Sequence, residues 1–86
     1  MKFTSLDAWI EFHYGSYKAM GERLGFTYKK VNRWYAKSPK QFYQVIEELV
    51  DQTGTDPKEL IELINGRARD VEMLNLRNGR NAIGAD

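Results

Sequence analysis

The chain has 86 residues, 42% hydrophobic, 29% charged and 13% aromatic, with no cysteine, one histidine, two prolines and a formal net charge of +1. This is one small domain, and it lacks the thiols and imidazoles for a disulfide framework, a zinc finger, a cysteine nucleophile or a histidine dyad. It also lacks an apolar run long enough to span a bilayer and the basic-then-apolar start of a signal peptide, so a cytoplasmic, non-catalytic protein without cofactor or metal is the expectation.

Caps and hydrophobic period predict a first helix opening at Thr4 or Ser5, with Leu6, Trp9, Ile10 and His13 at helical spacing, and stopping at Gly15. Ser16 then caps a second segment, Tyr17 to Leu24, on which Met20 and Leu24 share a face, and Gly25 supplies a left-handed stop. After Phe26, Thr27 caps a third helix from about Tyr28 to Ala36, with Val31 and Trp34 on one side. Its other side carries Tyr28, Lys29, Asn32, Arg33 and Ala36. Ser38-Pro39-Lys40-Gln41 reads as a capping box with Pro at the first helical position, opening a fourth helix that carries Phe42, Val45, Ile46, Leu49 and Val50 inward as far as Gly54. Asp56-Pro57-Lys58-Glu59 repeats that logic for a fifth helix, with Leu60, Ile61, Leu63 and Ile64, ending at Asn65-Gly66. Beyond Gly66, Val71, Leu74 and Leu76 fit neither period cleanly. Asn78-Gly79 reads as a helix stop, a hairpin turn or a loop, and residues 80–86 as a frayed tail. The expected architecture is therefore all-α, a five-helix domain over residues 1–66 followed by a C-terminal extension, residues 67–86, of unassigned structure.

The small total charge conceals segregation. Residues 1–16 carry a net −1, residues 17–40 a net +6, residues 41–65 a net −5 and residues 66–86 a net +1. A bipolar molecule of this kind can turn one basic face toward a polyanion while its acidic side stays in solvent. Solvated helix faces of differing sign are the competing explanation.

The basic segment coincides with a helix, Gly turn, helix pattern. A DNA-reading pair of this kind needs a small residue midway along its first helix, so that the second can cross closely, and a Gly four positions later to take the turn. Gly21 and Gly25 have that spacing, and Met20, Leu24, Phe26, Val31 and Trp34 supply the apolar contacts, so seven constraints are met within Tyr17 to Ala36. These residues resemble the helix-turn-helix of the phage repressor and Cro family, related to the xenobiotic-response-element regulators. The resemblance covers roughly residues 6–65. "LGFTYKKVNRW" is similar to the family's Leu-Gly-x-Ser/Thr-x-x-x-Val/Ile-x-x-Trp pattern, and "GTDPKELIEL" to its Gly-x-Ser-Pro-Glu-Glu-Leu entry into the last helix. The chain departs from the family at two positions, having Tyr17 where Gln is common and Gly21 where Ala is common.

In that family the third helix lies in the major groove, which implies base-edge contacts from Tyr28, Lys29, Asn32 and Arg33, with Tyr17 and Lys18 near phosphate. The side-chain chemistry agrees. Arg33 can make a bidentate fork to guanine and Asn32 a bidentate pair with adenine, each discriminating by about 1–3 kcal/mol. Lys30, Lys37 and Lys40 flank that face and suit phosphate, which sets affinity and salt dependence rather than sequence.

Leu60, Ile61, Leu63 and Ile64, with Val71 and Leu74, exceed what one buried face of a small domain needs and read as a subunit contact, the alternative being a sixth packed segment. Cro-like proteins commonly dimerise here, which by resemblance favours a homodimer whose two reading helices lie about 34 Å apart on an inverted-repeat, double-stranded operator. His13 reads as a packed histidine near a helix end, the acidic run from Glu47 to Asp51 as a solvated face, and the scattered tyrosines only weakly as a stacking platform for single strands. The expected function is sequence-specific transcriptional regulation of prophage-repressor type. Two rivals are an antitoxin-like autoregulator whose C-terminal segment binds a partner protein, and a scaffold that keeps the fold without DNA.

Overall fold

The computed structural model describes residues 2–78. Ser5, Ser16 and Thr27 each take an extended backbone, and their side-chain oxygens accept from the N–H three residues on (Ala8, Ala19 and Lys30) at 3.0–3.2 Å. Each thereby satisfies an orphan donor of the first turn and starts a helix: α1 (Leu6–Tyr14), α2 (Tyr17–Leu24) and α3 (Tyr28–Lys37). Gly25, at φ 79°, ends α2 in the left-handed region and sends the chain through Phe26 and Thr27 into α3. A 3-10 helix (Pro39–Val45), α4 (Ile46–Thr53) and α5 (Pro57–Asn78) complete the described residues, which are all-α and without a strand. No helix among them is long and apolar enough to cross a membrane.

The predicted fourth helix is two helices. Only Ser38 separates the end of α3 from Pro39, and its N–H closes α3 on the Trp34 carbonyl at 2.9 Å, so it cannot also receive the Gln41 side chain and no capping box forms. The chain continues instead in 3-10 geometry. Three residues per turn put Pro39, Phe42 and Val45 on one side, and Phe42 is buried edge-on against Trp34, with ring centroids 5.3 Å apart.

The fifth helix does not end at Asn65-Gly66 but runs 22 residues to Asn78. A glycine inside a helix costs about 1 kcal/mol relative to alanine, and burial of Leu63, Ala68 and Val71 on either side of Gly66 outweighs it. The boundary expected between 66 and 67 therefore falls inside one continuous helix. Gly79 and the tail lie outside the described residues.

The core joins all five α-helices and the 3-10 segment. Trp9, Ile10, Met20, Val31, Phe42, Leu49, Leu60 and Ile64 are fully buried. The buried indole N–H of Trp9 donates to the Thr55 hydroxyl at 2.9 Å; that hydroxyl bonds Thr53, whose own donates to the Leu49 carbonyl at 2.7 Å. Gln52 of α4 accepts from the Tyr14 hydroxyl at 2.7 Å and donates to the Arg23 carbonyl at 3.0 Å, closing the end of α2.

His13 packs among the rings of Phe3, Trp9 and Phe12, at 5.7, 5.2 and 5.0 Å between centroids. Burial there lowers its pKa below 6.5, opposed by the carboxylate of Glu59. The unfolded chain therefore takes up the proton first on acidification, and the neutral imidazole's contribution to stability is lost as pH falls below about 6.5. His13→Gln is expected to reduce the drop in urea midpoint between pH 7.5 and pH 5.5. An unchanged drop would mean that other groups carry it.

Candidate nucleic-acid interface

The sequence from Tyr28 to Lys37 contains four cations and no carboxylate. Its apolar residues Val31 and Trp34 are buried, which turns the opposite side of α3 outward by the 3.6-residue period. Tyr28, Lys29, Asn32, Arg33, Ala36 and Lys37 are all exposed, so all four residues predicted to read bases share one solvent-facing surface. Lys18 on α2 and Lys40 on the 3-10 helix are exposed as well.

What fixes that surface relative to the domain is the crossing of α2 and α3. A Cβ at Gly21 would stand 2.8 Å from the Phe26 carbonyl oxygen and 3.2 Å from that of Thr27, so the turn packs directly on the α2 backbone. The Phe26 N–H reaches back to the Gly21 carbonyl at 2.7 Å. Phe26 then meets Trp34 edge to face at 5.3 Å. The small residue midway along α2 is thus required by contact.

Two of the residues assigned to phosphate are engaged inside the domain. The Lys30 ammonium lies over the rings of Phe26 and Trp34, at 4.1 and 5.2 Å from their centroids, because position 30 borders the buried side of α3 and the ring faces attract a cation. The Tyr17 hydroxyl donates to Asp7 at 2.9 Å, and its ring packs on that of Tyr35 at 5.4 Å. Burial, together with the bond to Asp7, raises its pKa far above the usual tyrosine value. Asp7 and Glu11 line a hollow of about 260 Å³ with Gly15, Ser16 and Tyr17, so a phosphate at the start of α2 would meet two carboxylates. Tyr17 is accordingly committed to Asp7 and Tyr35, and Lys30 to the rings beside it, whereas Lys18, Lys37 and Lys40 are exposed.

The expected subunit contact is likewise redistributed. Leu60 and Ile64 are fully buried, and Leu63 and Val71 nearly so, which leaves these four in this chain's own packing. Of the six residues, Ile61 and Leu74 stay outside, at 39% and 44% exposed, and Met73 and Leu76, at 62% and 73%, join Leu74 toward the end of α5. Arg67, half-buried on α5, reaches α3, with its Nε donating to the Tyr35 carbonyl at 2.8 Å.

Among the described residues no group of three or more histidines or carboxylates could hold a metal ion. Comparison with protein-family models, with curated proteins and with solved structures finds no match to this chain.

Proposed function

We propose that the chain is a sequence-specific, double-stranded DNA-binding transcriptional regulator of prophage-repressor type, acting in the cytoplasm as a homodimer on an inverted-repeat operator and without catalysis. The observation that carries this reading is the outer face of α3, where Arg33 and Asn32, the side chains suited to guanine and adenine, lie exposed between Lys29 and Lys37 on a helix with no carboxylate. The acidic residues of α4 and α5 belong to other elements, so the low net charge does not oppose binding to DNA.

The test is enrichment of binding sites from a random duplex library by the purified chain at near-physiological salt. Recovery of an inverted repeat with half-sites about one helical turn apart is the expected result. Failure to enrich any sequence, with folding verified by circular dichroism, would reject the reading.

The exposed Met73, Leu74 and Leu76 favour a second reading for the end of α5, that of an antitoxin-like autoregulator which covers this patch with a partner protein rather than a second copy. Sedimentation of the free chain tests the first reading, which requires a dimer; a free monomer would reject it.

A further inference from the structure

One carbonyl of the last turn of α3, that of Tyr35, has no helical donor. In a continuing helix the Tyr35 carbonyl would accept from the N–H four residues on, but that residue is Pro39, which has none. The preceding carbonyl, of Trp34, is closed by the Ser38 N–H at 2.9 Å. The missing donor comes from a distant element, since Arg67 Nε of α5 lies 2.8 Å from the Tyr35 carbonyl oxygen in a part-buried setting. The same guanidinium lies 4.1 Å from the centroid of the Tyr35 ring. That ring packs on Tyr17, which is bonded to Asp7, so the contact reaches α2 and the start of α1. The cation also sits at the end of α3 where the helix dipole favours positive charge.

We propose that Arg67 is a positioning residue, a cap supplied by α5 that holds the C-terminal end of α3 and so keeps Asn32, Arg33 and Lys37 in a fixed orientation. Its consequence for binding rests on the DNA-reading function proposed above; its consequence for α3 does not. A guanidinium is suited to the role because one planar group donates in its own plane to the carbonyl while its face lies over the aromatic ring. An ammonium in its place is a compact, strongly hydrated charge without the planar fork that fixes the donor direction and the ring contact together.

The experiment compares the intact chain with Arg67→Met, which keeps the apolar stem without the donor, and Arg67→Lys, which keeps the charge without the fork. Backbone amide exchange from Tyr35 to Ser38 is expected to speed up about tenfold in both variants, while protection in α4 stays unchanged. Affinity for the enriched operator is expected to fall about tenfold in both, with weakened discrimination against single-base-pair changes and the wild-type salt slope.

Acceleration spread evenly over every helix would overturn the proposal, because Arg67 would then be a general stabiliser. Recovery of full affinity by Arg67→Lys, with a salt slope lowered by about one in Arg67→Met, would overturn it too, because Arg67 would then be a phosphate contact. If the wild-type chain enriches no duplex, the DNA reading fails, and the exchange comparison still decides whether Arg67 caps α3.

Discussion

Gly21→Val is expected to lower the stability of the domain by at least about 3 kcal/mol, a large part of what a chain of this size possesses. The first added atom would stand 2.8 Å from the Phe26 carbonyl oxygen and 3.2 Å from that of Thr27, which are backbone atoms of the turn and cannot rotate aside. No rotamer relieves either contact, because rotation about χ1 leaves Cβ in place; the two further methyl groups add bulk, and β-branching reduces helix propensity as well. Gly21→Ala is the informative companion. Alanine gains about 1 kcal/mol of helix propensity over glycine, which offsets part of an overpacking cost of about 1–3 kcal/mol, so a net loss of about 1 kcal/mol is expected. Urea denaturation of both variants measures this directly. A higher midpoint for Gly21→Ala would show that α2 and the turn can separate at no cost, and that the crossing does not hold α3 rigidly.

Arg33→Ala is expected to leave folding intact and to cost about 1–3 kcal/mol, roughly 5- to 150-fold, in preference for the enriched operator over duplexes changed at one base pair. Folding is spared because Arg33 is exposed and its neighbours Val31 and Trp34 carry the packing of α3. Asn32→Ala is expected to act in the same way at an adjacent position. Lys37→Ala provides the contrast, since a phosphate contact lowers affinity for every duplex alike and reduces the salt slope by about one. Competition binding at fixed salt against a panel of substituted duplexes separates the two patterns. A uniform loss with Arg33→Ala would assign Arg33 to the phosphates and leave sequence reading to other residues of α3.

The starts of α2 and α3 were legible to the residue, and that of α1 to one of two candidate caps, Thr4 or Ser5, because a serine or threonine cap and a glycine stop act through atoms within three or four positions of one another. Ser5, Ser16 and Thr27 form the expected bonds, and Gly15 and Gly25 take positive φ. The shared exposure of Tyr28, Lys29, Asn32 and Arg33 was legible for the same reason, being a matter of helical period. The capping box at Ser38 was not, since the N–H it needed is claimed by the helix before it. A local motif read without its neighbour overlooked that competition.

Helical period, capping and the charge of the 17–40 segment were thus readable along the chain, because each depends on residues within one or two turns. Partners brought together by docking were not: whereas the rings over which Lys30 lies are only four positions away on either side, Tyr17 meeting Asp7 and Arg67 meeting Tyr35 depend on how the helices pack. The same holds for the aliphatics of α5. Leu60, Leu63, Ile64 and Val71 look like surplus apolar surface in a linear count, and they are buried because α5 lies against the 3-10 helix, α1, α3 and α4, with Val71 added by its continuation past Gly66. Local chemistry set where the first helices begin and which face of α3 meets solvent. Burial, a property of the assembled helices, decided how far α5 runs and which of its side chains remain for a partner.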